Sequence, residues 1–483
     1  MERAEAAAIY DAGREACVEV LLRLAALEGR VRELEVENTA LRERLAQLEQ
    51  RLKRNSQNSS LPPSQDPPAA PPRPQQPTTG RRAGGQPGRE GKHRPLLPLE
   101  WIDELVEHWP ERCSGCAHVF ADDERVDAAP PQRHQVAELP PIAVTVSEHR
   151  LHRVACPGCG RETRAALPHD VPRGAFGPRL EAAVAALSVR NRISRRDLAA
   201  LFADLFGCPL SVGAVDAICQ RASAALAQPY AELRHTIRTA GAVNVDETGW
   251  KQAGQRRWLW GGFTTQAAAL LITTGRGQKE ATELLGADFA GIVISDRYSG
   301  YKHFALAQRA LCWAHLVRDF RALAESRGIA AETGQTALAL SEQLFTAWHS
   351  FHDEQRPRSW LAAQIEPLKH DLHSLLERGL AEGDTPTKTL CRSLTKLWPA
   401  LWTFATVDGV EPTNNAAERG LRHAVIYRKT CFGNQSDDGA RFIERLLSVA
   451  LTCKLQSRSL FTYLTHALEA ATRGDPAPSL APP

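Results

Sequence analysis

Gly291-Ile292-Val293-Ile294-Ser295-Asp296-Arg297-Tyr298-Ser299-Gly300-Tyr301 decides how this chain is read. Its run of β-branched residues forms a buried strand and delivers one carboxylate, Asp296, to the strand end. Fifty residues earlier, Val243-Asn244-Val245-Asp246-Glu247-Thr248-Gly249-Trp250 presents Asp246 in the same way. A third acid, Glu418, lies in Asn414-Asn415-Ala416-Ala417-Glu418-Arg419-Gly420-Leu421-Arg422, where Asn414 or Asn415 can cap a helix. If the three converge, they make a hard-oxygen site suited to Mg²⁺ or Mn²⁺.

The sequence between the acids fits this reading. Trp258-Leu259-Trp260-Gly261-Gly262-Phe263 and Ala268-Ala269-Leu270-Leu271-Ile272-Thr273 are strand-like, and residues 277–285 read as a helix ahead of the Asp296 strand. Strand, strand, strand, helix, strand, with acids on the first and fourth strands, is the order of a ribonuclease-H-like fold. Adjacent strands there bring Asp246 and Asp296 within one metal-binding distance. Glu247 points to the other face of its strand, which leaves it a supporting part at most. Thr333 to Leu401, ahead of Glu418, reads as helix, with Leu340, Leu344 and Trp348 at spacing four. Each acid alone has a plainer explanation, a turn former or a solvated surface pair. Three in this order argue for chemistry.

At 483 residues the chain predicts three or four units. The formal charge is only +3, so any case for a nucleic-acid partner rests on where the basic residues sit. No apolar run reaches the roughly 18 to 20 residues of a membrane span, and Met1-Glu2-Arg3 does not open a signal peptide, so the cytoplasm is expected. Eleven cysteines, an odd number with four in two Cys-x-x-Cys pairs, fit metal ligation plus buried thiols better than a disulfide framework.

From Cys17 to Leu52 a heptad runs unbroken. Leu27, Leu34, Leu41 and Leu48 take the d positions, and Leu24, Val31, Asn38, Leu45 and Leu52 the a positions. In a parallel dimer, Arg23 meets Glu28, Arg30 meets Glu35, Glu37 meets Arg42 and Arg44 meets Glu49, all opposite in sign. A two-stranded coiled coil follows, with Asn38 fixing the register. Between Arg54 and Pro98 fall eleven of the 31 prolines and almost no large apolar side chains, the composition of a linker. Arg81, Arg82, Arg89, Lys92 and Arg94 stand among its glycines, where they either follow a phosphate backbone or simply solvate a tether.

Cys113-Ser114-Gly115-Cys116 and Cys156-Pro157-Gly158-Cys159 each form a knuckle that aims two thiolates at one point, and four thiolates suit a closed structural Zn²⁺ site. Ile142 to Val146 and Leu151 to Val154 alternate like strands, which predicts a zinc ribbon with a long β insertion; two separate thiol pairs, or redox work, is the competing account. Residues 178–233 read as helices. Ile193 to Phe202, Gly207 as a stop and a second helix starting near Val212 resemble a helix-turn-helix carrying Arg195 and Arg196. The second helix offers no Arg, Asn or Gln before Gln220, so a helical hairpin packed on the next domain explains it equally well.

The expected architecture is multidomain α/β: a coiled coil over 1–54, a Pro-rich basic linker over 55–98, a zinc-binding module over 99–172 and a helix-turn-helix-like block over 173–238. A ribonuclease-H-like domain over 239–470, with a helical insertion at about 325–405, and a tail over 471–483 complete it. The chain resembles the insertion-sequence sixty-six family of bacterial DDE transposases. The resemblance is carried by the zipper, residues 55–63, Gly84-Gly85-Gln86-Pro87-Gly88, the paired cysteines, Asp246-Glu247-Thr248 and Ser295-Asp296-Arg297-Tyr298. Cys312-Trp313-Ala314-His315-Leu316 and Asn415-Ala416-Ala417-Glu418-Arg419 extend it. Arg89 departs from it, since family members commonly show His after Gly-Gln-Pro-Gly.

The resemblance implies that Asp246, Asp296 and Glu418 are the metal-binding catalytic triad, that the substrate is double-stranded DNA, and that accessory proteins come from the same element. It places the protein at the bacterial nucleoid. Two divalent ions on the triad would support hydrolysis at the ends of a mobile element, followed by attack of the freed 3′ ends on target DNA. A homodimer, or a higher oligomer, joined through the zipper would hold both ends. His315 either orients a phosphate or simply packs beside Trp313, and Arg297, Tyr298 and Arg422 are further candidates of the same kind. The rivals are a zinc-containing DNA-binding regulator with structural carboxylates, and a nuclease of the same fold.

Overall fold

The computed structural model describes Tyr10, Asp11 and residues 13–52 and 94–482. The chain forms two compact units, one of Met1–Pro72, Leu151–Leu198 and Val212–Pro483, the other of Arg73–Arg150 and Ala199–Ser211, each so far as described. Among the described residues no helix is long and apolar enough to cross a membrane.

The first unit is built on a mixed five-stranded sheet. Strands β3 (Ala242–Gln252), β4 (Gln255–Phe263) and β5 (Ala268–Thr273) are joined as antiparallel hairpins. Helix α6 (Gln278–Leu285) then crosses to β6 (Ile292–Ser295), which runs parallel to β3, and β7 (Arg309–Leu311) follows parallel to β6. The spatial order β5-β4-β3-β6-β7 therefore contains the expected strand, strand, strand, helix, strand sequence. One expectation changes. Asp246 is not at the tip of its strand, because the β3–β4 hairpin continues to Gln252. Only the β6 side of β3 ends early, the last pair being Asn244 with Ile294.

Helices cover both faces, and two adjacent glycines of β4 admit them. A Cβ on Gly261 would press on Leu421 of α13 (Asn415–Cys431), and one on Gly420 of α13 would collide with the Phe263 ring. On the opposite face a Cβ on Gly262 would meet Ile237 of α5 (Ala227–Thr239) and Leu284 of α6. The outer edge of β5 is covered by α14 (Asp437–Leu455). Ala268, Leu270 and Ile272 donate their N–H groups to Thr452 Oγ1 (3.0 Å), Ser448 Oγ (2.9 Å) and Glu444 Oε1 (2.6 Å). Four residues of helix rise about 6 Å and two of strand about 6.8 Å, so every fourth side chain meets every second amide. An edge open to a foreign strand is thereby closed.

Between β7 and α13 the chain is helical, as expected. Helix α7 (Trp313–Ala324) leads into α8 (Ile329–Asp353), α9 (Arg358–Glu382), α10 (Thr385–Lys396) and the short α11 (Trp398–Leu401) and α12 (Thr403–Thr406). Leu340, Leu344, Leu361, Ile365, Leu372 and Leu394 are buried in one core with Trp313 and Phe404. Ahead of the sheet, α2 (Pro178–Val189), α3 (Arg195–Phe206) and α4 (Val212–Ala225) place the helix–Gly207–helix break where the sequence put it. Val215, Ile218, Cys219 and Ala222 of α4 are buried, and α4 lies against α2, α14 and α15 (Leu460–Arg473).

The N-terminal helix α1 (Arg14–Leu52) is continuous, and Leu27, Val31, Leu34, Leu41 and Leu45 of its heptad stripe are exposed. Arg23 and Arg30, expected to reach across a dimer, here pair within the helix with Glu19 and Glu33. From Arg94 to Leu180 no residue is buried. The strand expected at Ile142–Val146 is absent; Val146 is 84% exposed, and alternation without a partner edge makes no ladder. The second expected strand shifts to β1 (Arg153–Ala155), paired with β2 (Glu162–Arg164) across the Cys156–Cys159 turn.

Candidate active site

The parallel ladder of β3 and β6 stops at Asn244 and Ile294, and Asp246 and Asp296 each stand two residues past that pair. Parallel strands lie about 4.8 Å apart, so the ladder brings the two acids to one level on neighbouring strands. Alternation along β3 places Val243, Val245 and Glu247 on the buried side and Asn244, Asp246 and Thr248 on the side covered by α13. Asp246 is registered opposite Gly261, which leaves room for that helix. Asp246 Oδ1 accepts from Glu247 N (2.9 Å), and Asp296 Oδ1 accepts from Tyr298 N (2.8 Å). The second oxygen of each carboxylate has no hydrogen-bond partner among the described residues.

Glu418 arrives from the other end of the sequence. Where β6 stops, the exposed edge of β3 is taken over by the start of α13: Asn414 Nδ2 donates to Val245 O (2.7 Å), and Asn414 N donates to Cys312 Sγ (3.1 Å). Trp313 N donates to Pro412 O (2.8 Å). Asn414 occupies the N-cap position, but its side chain is spent on β3 and makes no cap bond. This tether puts the first turn of α13, with Glu418, beside the first turn of α7. Arg318 of α7 reaches Glu418 at 3.3 Å and His315 Nε2 lies 3.7 Å from it. Among the described residues no three His, Cys, Asp or Glu side chains stand grouped as ready metal ligands. Two carboxylates are set side by side, and the third is held by α7.

The electrostatics follow from crowding. Burial pushes the Asp246 carboxyl up to about 8, and the charges of Glu247, Asp296 and Glu418 add to it. Burial lowers the pKa of His315, and Arg318 lowers it further. Behind β3, the buried Glu247 accepts from Tyr301 Oη (2.5 Å) and pairs with Arg276 (2.7 Å), whose guanidinium lies over the Tyr298 ring. Burial raises the Glu247 pKa against these two partners. Arg309 is buried, with Nη2 on Asp296 O (3.4 Å), and its burial lowers its pKa. Glu247 therefore faces away from Asp246 as expected. The sequence reading missed Arg318, Arg309, Arg276, Tyr301 and the docking role of Asn414; the one local hint was Arg318, a helical turn after His315.

Other expected site residues fall in several places. Arg297 is held between Asp319 (2.7 Å) and Ser393 (3.1 Å). Arg195 hydrogen-bonds Ser188 and Asp216 and lies over the Phe442 ring, so it serves packing rather than standing open to a ligand. Arg94, Arg196 and Arg422 are exposed, whereas Arg81, Arg82, Arg89 and Lys92 lie outside the described residues. The two cysteine knuckles repeat one backbone scheme. Cys113 N donates to His118 O and Ala117 N to Cys113 O; Cys156 N donates to Arg161 O and Gly160 N to Cys156 O. Ala117 and Gly160 both take positive φ. Amides within each knuckle, led by Cys116 and Gly158 respectively, lower the Cys113 and Cys156 thiol pKa values.

Comparison with known proteins bears on the same residues. Residues 173–442 match the Transposase IS66 family, and residues 14–95 match a family of unknown function (DUF6444). The uncharacterized protein y4qI of Sinorhizobium fredii is 26% identical over 454 residues, covering 82% of this chain and 78% of its own. The uncharacterized protein y4hP of the same organism is 24% identical over 401 residues, covering 74% and 70%. Because the first match spans more than half of the chain and includes β3, β6 and the Glu418 turn of α13, this protein belongs to the IS66 transposase family.

Proposed function

We propose that this chain is a DNA transposase that cuts and joins DNA with an Asp-Asp-Glu triad on a ribonuclease-H-like sheet. The observation that carries the reading is the placement of Asp246 and Asp296 at one level past the β3–β6 ladder; the tether of α13 to β3 adds Glu418 within electrostatic reach of Asp246. The donor set fits a hard divalent cation, since its members are carboxylate oxygens and one oxygen of each aspartate is unpartnered among the described residues. Asp246, Asp296 and Glu418 would hold Mg²⁺ or Mn²⁺, which when bound activates a water or a DNA 3′-hydroxyl and neutralises charge on the leaving oxygen.

The protein's own residues do the positioning. The backbone amides of Glu247 and Tyr298 fix the orientation of the two aspartates. Arg318 and His315 restrain Glu418 and offer cationic and hydrogen-bonding groups where a phosphodiester would lie. With its pKa near 8, Asp246 keeps its proton at neutral pH, and that proton competes with a cation. Activity at limiting Mg²⁺ is expected to rise as pH climbs from 6.5 through about 8.

The exposed heptad stripe of α1 supports a homodimer that holds two element ends; the turn of each cysteine knuckle suits a pair of thiolate ligands, in keeping with the structural Zn²⁺ expected for the paired cysteines. Double-stranded DNA at the bacterial nucleoid is the substrate, with accessory proteins of the same element as possible partners. The test is strand transfer by the purified protein on labelled DNA bearing the element's ends, with Mg²⁺ or Mn²⁺. Asp296→Asn is expected to reduce joining by roughly a thousand-fold or more. Cutting without joining, with accessory proteins supplied, would identify a nuclease. End binding with no chemistry in the wild type would leave a regulator.

A further inference from the structure

Helix α10 of the insertion carries a charge pattern that the carboxylate site does not use. From Thr385 to Val407 the chain has no Asp or Glu, although acids make up 56 of its 483 residues. Lys388, Arg392 and Lys396 recur at every fourth position of α10 and so share one side of it, while Leu390, Cys391 and Leu394 are buried. Arg392 and Lys396 are exposed and Lys388 is half-buried. None of the three has an ion-pair partner among the described residues. The acids bracketing the stretch are committed elsewhere: Asp384 caps α10 by accepting from Thr387 N (2.9 Å), and Asp408 pairs with Arg358 (3.0 Å).

Three like charges within about 12 Å of helix repel one another and suit a polyanion. The stripe is also tied to the site. Ser393, next to Arg392, accepts from Arg297 (3.1 Å), and Arg297 directly follows Asp296. One arginine side chain therefore separates α10 from a proposed catalytic carboxylate. We propose that α10 is a DNA-backbone track, on which Lys388, Arg392 and Lys396 contact phosphates of the duplex flanking the phosphodiester at Asp246 and Asp296. Such contacts position DNA without reading its sequence. The proposal rests on the reading of the chain as a DNA-processing enzyme.

The test is binding of a fluorescein-labelled duplex of about 30 base pairs and arbitrary sequence to the full-length protein, by anisotropy across a salt series without added Mg²⁺ or Mn²⁺. For the triple variant Lys388→Ala, Arg392→Ala, Lys396→Ala, the slope of log K against log salt is expected to become shallower by about 2 to 3, and affinity at low salt to fall about 10- to 100-fold. Arg392→Gln alone should remove about one unit of slope. The charge-keeping exchange Lys388→Arg, Arg392→Lys, Lys396→Arg, and Lys369→Ala, which removes a cation already paired with Glu366, should bind as wild type. Wild-type slope and affinity in the triple variant and in Arg392→Gln would overturn the proposal while leaving the transposase reading intact. Failure of the wild type to bind duplex at all would overturn both.

Discussion

Arg94–Leu180 and Glu181–Pro482 are two stretches of one chain built on different physics. The first has no buried residue, and ahead of α2 its regular features are short turns and hairpins closed by their own backbone hydrogen bonds. The second buries Trp250, Trp260, Trp313 and a long list of aliphatic side chains around and beside a sheet. Where side chains pack, register and topology are enforced by burial, and acids can be set to a level on neighbouring strands. Where they do not, only local turns persist, and an alternating run such as Ile142–Val146 gains nothing from becoming a strand. The lesson is that the sheet body is held by its own packing, whereas the cysteine region has no buried side chains to hold it.

The sharpest way to break this contrast is to test the proposed zinc site. Chelation, or Cys156→Ser, is expected to open the knuckle-bearing residues to protease while the main thermal transition stays in place. Structural zinc contributes on the order of 10 kcal/mol to the modules that depend on it. Metal analysis showing no zinc, with unchanged proteolysis, would defeat the idea. Trp313→Ala probes the other side of the contrast. It removes a buried ring that donates to Leu401 O (2.9 Å), and denaturant unfolding should register a loss of about 3–5 kcal/mol.

Glu444 sharpens the contrast through pH. Burial raises its carboxyl to about 7, so the folded state holds the proton more tightly than the unfolded chain, whose value is near 4.5. Its stabilisation is complete below the unfolded value and is lost as pH rises through about 7. Glu444→Gln keeps an acceptor for Ile272 N–H without the charge. It should be nearly neutral at pH 4.5 and stabilising by roughly 2–3 kcal/mol at pH 8.5, as read from unfolding midpoints. The smallest effect belongs to Val146→Ser, expected within about 0.5 kcal/mol because the side chain packs on nothing.

Much of the architecture was legible because its signals are local. β-branched runs marked β3 and β6, and the spacing of Leu340, Leu344 and Trp348 marked α8. Gly207 separated α3 from α4, with a left-handed φ that suits glycine. Asp246 and Asp296 could be named from the same runs, and Glu418 from the resemblance carried by its helix. The length of β3 was misjudged, because a hairpin continues as long as its partner strand does, and the partner's extent is not written in the strand itself.

The sequence by itself determined which residues alternate, which recur at helical spacing and where the chain must turn, since these depend on neighbours a few bonds away. Only the tertiary structure decided what those surfaces meet. Arg318 clasps Glu418 across a hundred residues, and Asn414 leaves its cap to hold β3. Glu444, Ser448 and Thr452, polar residues on a buried helix side, make sense only against the free amides of β5. Helical periodicity can show that these three share a side. What they bind is fixed by a strand 172 to 184 residues away, whose amide spacing nearly matches one helical turn.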